Sequence, residues 1–223
     1  MLSLNSLVIE PKQTATCCVI WMHGLGDSSQ GFAPVIDALD LPDNHSIRFV
    51  LPDAPIRSIT INNNASMRAW YDIQDFNFYN RVDFQGMEES ELLIKQLIEQ
   101  QINAGIAPES IVLVGFSQGG VLALQTGLRF SHTLAGILAL SCYLPSGKNL
   151  PINCHKNNQL TKIAIHHGNQ DPIVPLELGK IAYDILKGSN YDVTWSVYDM
   201  PHSVAPEQIQ DIRQWLLERL NIR

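Results

Sequence analysis

The sequence predicts an α/β fold, with a mostly parallel central sheet and helices on both faces. Three observations carry this. Apolar, β-branched runs at 15–22, 47–51, 111–114, 135–140 and 162–166 are continuous rather than alternating, as strands covered on both faces require. Between them apolar residues recur at helical spacing, so strand and helix alternate along the chain. The third observation is Gly115-Phe116-Ser117-Gln118-Gly119-Gly120, which sets a serine at an abrupt turn from strand to helix. The chain has 223 residues, 45% of them hydrophobic, and no internal repeat or linker, so one domain spanning 1–223 is expected.

The elements follow in order. The run at 15–22 ends at His23-Gly24-Leu25-Gly26-Asp27-Ser28, a glycine-bearing turn into a helix near 32–39 with Ser28 or Ser29 as its N-cap. A second buried strand at 47–51 stops at Pro52-Asp53-Ala54-Pro55. A long connection over 57–82 then carries Trp70, Tyr71, Phe76, Phe78 and Tyr79 without clear periodicity. Two readings stand for it: a lid or binding loop, or a surface excursion packed by its own aromatics. From 86 to 104, Leu93, Ile94, Leu97, Ile98 and Ile102 form the apolar stripe of a helix whose first turns hold Glu88, Glu89 and Glu91. Gly105 and Pro108 end it, so the strand at 111–114 is reached by a crossover. Strands at 135–140, 162–166 and 193–198, a helix at 176–186 and a last helix beginning near Pro206 complete the alternation.

Composition removes several functions. Lys and Arg number 15 against 22 Asp and Glu, and with a formal charge of −7 and no basic cluster a nucleic-acid partner is not expected. No stretch approaches the ~18 consecutive apolar residues of a spanning helix, so stable membrane insertion is not expected either. Residues 1–10 lack the pattern of a signal peptide, and a cytoplasmic protein, monomer or homodimer, is the expectation. The four cysteines, Cys17, Cys18, Cys142 and Cys154, have no metal-site spacing and read as thiols, with a Cys142–Cys154 disulfide the other possibility. No metal or cofactor is expected.

In open α/β sheets, polar residues just past the strands converge on one edge. Ser117, Asp171 and His202 all hold such positions, in the chain order that accompanies a serine nucleophile at a strand-to-helix elbow. A serine hydroxyl needs an imidazole to take its proton, and the imidazole needs a carboxylate to fix its tautomer. The chief competitor for the base is His167, which also ends a strand but lies four residues before Asp171. The backbone N–H groups of Gln118 and Leu25 fit the two donors of an oxyanion hole, Leu25 standing in the glycine-bearing loop after the first predicted strand.

Taken together, His23-Gly24-Leu25-Gly26-Asp27, Pro52-Asp53-Ala54-Pro55, Met67-Arg68-Ala69-Trp70-Tyr71-Asp72, the Ser117 motif, His167-Gly168-Asn169-Gln170-Asp171-Pro172 and His202-Ser203 resemble the phospholipase/carboxylesterase family that includes acyl-protein thioesterases. The resemblance spans nearly the whole chain. It implies an α/β-hydrolase fold and cleavage of carboxylic esters or thioesters, with S-acylated proteins, lysophospholipids and short aryl esters among the family's substrates. It places Ser117, Asp171 and His202 at the family's triad positions, and Leu25 and Gln118 at its oxyanion-hole positions. One departure is Pro201, where family members usually carry glycine; proline fixes φ and removes an N–H, which predicts a stiffer or differently aimed His202 turn.

Tyr143 and Ile173 follow strand ends, and Met67, Trp70 and Tyr71 lie on the long connection, so all five are candidates for lining an apolar acyl slot or, alternatively, for loop packing. The expected activity is that of a serine esterase or thioesterase. A generalist carboxylesterase of small soluble esters and an inactive hydrolase fold kept for binding are the alternatives.

Overall fold

The structure is a computed structural model and describes residues 4–75, 77–79, 81–145 and 153–222; Phe76 lies outside them. Nine strands and five helices are described: β1 (Ser6–Ile9), β2 (Cys17–Met22), α1 (Ser29–Ala38), β3 (Ile47–Pro52), β4 (Ile56–Ile59), β5 (Ala65–Arg68), α2 (Phe84–Asn103), β6 (Ile111–Phe116), α3 (Gln118–Arg129), β7 (Gly136–Leu140), β8 (Lys162–Gly168), α4 (Leu176–Gly188), β9 (Val193–Tyr198) and α5 (Pro206–Arg219). Seven strands form one sheet in the order β1-β3-β2-β6-β7-β8-β9. Every neighbouring pair is parallel except β1, which runs antiparallel to β3 at the edge.

Alternate residues of each inner strand feed opposite cores, as the two-residue period of a strand dictates. In β2, Cys18, Ile20 and Met22 pack with Met87, Ile94 and Ile98 of α2 and with Val121 and Leu124 of α3, in a core that also takes Ala182 and Leu186 of α4. Cys17, Val19 and Trp21 face Phe32 and Ile36 of α1 and Ile212 and Leu216 of α5. Each fully buried side chain of this size contributes about 1.5–3 kcal/mol of transfer free energy, and the continuous apolar runs exist because both faces need it.

Helix ends follow local chemistry. The Ser28 hydroxyl accepts the Gly31 N–H at 3.2 Å and so caps α1, and Asp83 caps α2 by accepting from Gly86 N–H at 2.9 Å. The 57–82 connection is more ordered than either sequence reading required. It contains the β4–β5 hairpin and a bridge between Ile73 and Val82, and Asp72 is tied to Thr60 through the Thr60 N–H (2.8 Å) and hydroxyl (2.6 Å).

The cysteines form no disulfide among the described residues: Cys17, Cys18 and Cys142 are buried, burial raising the Cys18 thiol to about 12, and Cys154 hydrogen-bonds Tyr191. Among the described residues no helix is long and apolar enough to cross a membrane.

Candidate active site

Five parallel strands, β2, β6, β7, β8 and β9, discharge their following loops on one edge, where Leu25, Ser117, Gln118, Tyr143, Asp171, Ile173 and His202 meet. At the end of β6 the chain reverses into α3 within one residue, Ser117, whose φ of 55° and ψ of −119° lie where non-glycine residues are rarely found. Packing at the turn leaves no room for side chains on two neighbours. A Cβ on Gly115 would collide with the Gly119 carbonyl, and one on Gly119 would collide with the Met22 carbonyl of β2. The Ser117 N–H is held by the Leu140 carbonyl at 2.8 Å, and the Ser117 carbonyl accepts from Val121 N–H at 3.1 Å.

The Ser117 hydroxyl meets His202 Nε2 at 3.0 Å, and His202 Nδ1 meets Asp171 Oδ2 at 2.7 Å. Asp171 is anchored by its other oxygen, which accepts the Ile173 and Val174 N–H groups, both at 2.9 Å. Burial opposes ionisation of Asp171, but the His202 ring and these two amides together outweigh it and hold the carboxyl below the usual range. With a carboxylate on one side, the imidazole proton sits on Nδ1, leaving Nε2 free to accept the serine proton. The His202 ring also packs on Phe116, with ring centroids 4.7 Å apart.

The His202 turn forms with Pro201 in place. The Ser203 N–H closes onto the Pro201 carbonyl at 2.8 Å, so His202 is the centre of a three-residue turn that needs no N–H from position 201. His167, the competing base, is fully buried behind Asp171: its Nε2 donates to the Val174 carbonyl at 2.8 Å and lies 3.5 Å from Asp171 Oδ2, and burial lowers its pKa.

The loop after β2 packs on the serine turn, with Gly24 against Phe116 and Ser117. Neither Leu25 N–H nor Gln118 N–H has a protein acceptor among the described residues. Both residues line a cavity of about 430 Å³ together with Ser117 and His202. Its apolar wall comprises Ile61, Ile73, Phe78, Tyr143, Pro172, Ile173 and Val174. Ile173 stands at the rim, 58% exposed, and Phe78 stacks on Tyr143 at 4.6 Å. Among the described residues no cluster of His, Cys, Asp and Glu is arranged to hold a metal ion.

Of the five residues expected in the acyl slot, Tyr143 and Ile173 line the cavity and Met67, Trp70 and Tyr71 do not. Trp70 and Tyr71 are buried beneath it and act as struts. The Trp70 indole N–H donates to the His23 carbonyl at 2.8 Å, while the Gln118 side chain accepts from Trp70 N–H at 3.1 Å and donates to the Tyr71 carbonyl at 2.7 Å. The Tyr71 hydroxyl meets that of Tyr143 at 3.1 Å. Met67, on β5, is half-buried, and its sulfur accepts from the Asn62 amide at 3.5 Å, so it backs a residue that lines the cavity. Ile61, Asn62 and Ile73 carried no sequence signal because the connection that holds them has no period; Pro172 and Val174 were readable in hindsight only as neighbours of Asp171.

Residues 4–219 match the family described as phospholipase/carboxylesterase. The chain is 36% identical over 223 residues to acyl-protein thioesterase 1 of Gibberella zeae, covering 96% of this chain and 95% of that protein. It is 36% identical over 227 residues to acyl-protein thioesterase 1 of Kluyveromyces lactis, covering 98% and 99%. Among solved structures, Arabidopsis thaliana SOBER1 matches with a TM-score of 0.84 at 29% identity, over 92% of this chain and 99% of that one. Zea mays acyl-protein thioesterase 2 matches in fold with a TM-score of 0.82 at 23% identity, over 97% and 99%. The chain therefore belongs to the phospholipase/carboxylesterase family, and its fold is that of the α/β hydrolases.

Proposed function

We propose that this protein is a serine hydrolase that cleaves carboxylic esters or thioesters through an acyl-enzyme, with Ser117 as nucleophile, His202 as general base and acid, and Asp171 as the carboxylate that orients His202. The observation that carries this is the unbroken hydrogen-bonded row Ser117–His202–Asp171 at the mouth of an apolar cavity. Ser117 attacks the acyl carbonyl as its proton passes to His202 Nε2. Negative charge then grows on the carbonyl oxygen, which accepts hydrogen bonds donated by the Leu25 and Gln118 N–H groups, the second at the positive end of α3. Collapse expels the alcohol or thiol, protonated by His202, and water releases the acid by the same steps.

The substrate reading is an acyl chain lying along Ile73, Phe78, Tyr143 and Val174, carried by an acylated protein or a lysophospholipid; the names of the fungal relatives support the first. A series of p-nitrophenyl esters from acetyl to palmitoyl, run beside an acyl thioester, tests it. Expected are burst kinetics, fluorophosphonate labelling that Ser117→Ala abolishes, and a preference for longer chains that Tyr143→Asp and Ile173→Asp weaken. A flat chain-length profile would favour the generalist esterase. Hydrolysis by Ser117→Ala equal to that of an active wild type would overturn the mechanism, and absence of hydrolysis by both proteins would favour a binding role.

A further inference from the structure

His23 is buried, directly follows β2 and is no part of the Ser117 row, yet both of its ring nitrogens are committed. Nε2 accepts the Ala54 N–H at 3.0 Å, which leaves the ring proton on Nδ1, and Nδ1 donates to the Gly24 carbonyl at 2.7 Å. That carbonyl belongs to the same peptide unit as the Leu25 N–H. In a trans peptide the C=O and N–H point in opposite directions, and among the described residues none is cis. A ring that draws the Gly24 oxygen into the interior therefore turns the Leu25 N–H outward, toward the cavity that Leu25 and Ser117 share.

We propose that His23 is a positioning residue whose Nδ1–H fixes the Gly24–Leu25 peptide plane and so aims the Leu25 N–H at the oxygen on which negative charge develops. This rests on the serine-hydrolase reading above. The Gly24 carbonyl has one other donor, Asp27 N–H at 3.3 Å, longer and from within the same loop, so it does not tie the plane to the body of the protein. Around the ring, the Trp70 indole packs at 5.4 Å between centroids and holds the His23 carbonyl, which keeps the histidine itself from rotating. Burial lowers the His23 pKa; the Gly24 carbonyl, Asp27 and Asp53 pull the other way, and Arg68 adds to the lowering. The neutral ring is the form the geometry uses, since a second proton on Nε2 would face the Ala54 N–H.

The test compares His23→Asn, whose amide nitrogen falls near the Nδ1 position, with His23→Gln, whose amide reaches the Nε2 position instead, and with His23→Phe, which fills the space with neither. Steady-state hydrolysis of p-nitrophenyl butyrate is measured beside inhibition by a trifluoromethyl ketone, which forms an anionic tetrahedral adduct on serine. The Gln and Phe variants should lose roughly ten- to hundredfold in kcat, short of the ~10²–10³ for outright loss of an oxyanion donor. KM should stay within about threefold, and inhibitor affinity should fall by the factor lost from kcat. The Asn variant should recover most of both. Equal losses in Asn and Gln, or a loss carried by KM, would overturn the proposal. Should the variants not fold, ¹⁵N NMR of the wild type decides: a protonated Nδ1 and a bare Nε2 on His23 at neutral pH are required, and the opposite tautomer overturns it. Ser117→Ala keeps the two readings apart. If it still hydrolyses ester, the serine mechanism falls; if it is inactive while the Asn and Gln variants match each other, only the role of His23 falls.

Discussion

Replacing Asp171 with asparagine removes one charge and leaves the shape, and the geometry fixes which way the new amide must face. The carboxylate oxygen distal to His202 accepts two N–H groups, from Ile173 and Val174, each at 2.9 Å. In Asp171→Asn the amide oxygen must remain there, which turns the NH₂ group toward His202 Nδ1, 2.7 Å away in the parent arrangement. A donor at that point makes Nδ1 an acceptor and moves the ring proton to Nε2, where it can no longer accept from Ser117. The productive orientation would instead set the NH₂ against two backbone donors and leave both unsatisfied, at about 1–3 kcal/mol each. Two donors at the low end already limit the productive form to about one part in thirty, and at the high end to about one in twenty-five thousand, a range that contains the ~10⁴ loss that follows when a triad aspartate becomes asparagine. We expect kcat for p-nitrophenyl butyrate at pH 7.5 to fall between these bounds with KM little changed. A folded Asp171→Asn variant within tenfold of wild type would refute both the orientation argument and the assignment of Asp171.

Two further outcomes are expected. Pro201→Gly restores the glycine usual in the family; because the Ser203 N–H closes on the carbonyl of residue 201, which glycine retains, kcat should stay within about threefold, while the freer unfolded chain should cost about 1 kcal/mol, or ~2–4 °C in Tm by calorimetry. A tenfold fall in kcat/KM would mean instead that proline rigidity aims His202. Acid should destabilise the fold well before carboxylates protonate: burial lowers the pKa of His23 and His167, and takes that of His166 to about 4. Groups depressed in the native state bind protons in the unfolded chain first, so their stabilisation is complete above the ordinary value of ~6.5 and is lost as pH falls toward the folded value. His166 alone should remove about 2 kcal/mol between pH 7 and pH 5, read from urea midpoints. Equal unfolding free energies at the two values would contradict this.

What could be read beforehand depended on how local the physical cause was. The inner strands declare themselves because burial on both faces demands continuous apolar residues, and the serine turn because Gly115 is forced by Gly119 four residues on, although Gly119 itself answers to the distant Met22 carbonyl. β1 escaped notice because Ser6–Ile9 is a half-buried edge strand whose partner, β3, is some forty residues on. β4 and β5 interrupt apolar residues with Arg and Ser and form their own two-stranded sheet, so no apolar run marks them. For Trp70 and Tyr71 the sequence leaves slot lining and loop packing both open, because hydrophobicity does not separate a cavity wall from a core. What separates them is the polar end of each ring: the indole N–H finds the His23 carbonyl and the phenol finds Tyr143, partners from distant segments that no sequence pattern announces.

The same distinction explains how the strained turn is kept. A residue at the φ and ψ of Ser117 costs about 1–3 kcal/mol and persists only where its surroundings overdetermine it. The next strand end repeats the device: Ser141, directly after β7, also has a positive φ, of 48°. In both, the serine N–H bonds a carbonyl of the neighbouring strand at 2.8 Å, Ser117 to Leu140 and Ser141 to His166. The ladder thus continues one residue past the point where each chain leaves the sheet, and a net hydrogen bond of about 0.5–1.5 kcal/mol opposes relaxation of each turn. That is comparable to the strain but does not exceed its upper range. The remainder falls to packing that glycine alone permits, at Gly115 and Gly119, and to the Gln118 side chain clamped on Trp70 and Tyr71. Gln118 therefore does two things with separate atoms: its side chain anchors the start of α3, and its N–H, without a protein acceptor among the described residues, is the donor that the proposed mechanism uses.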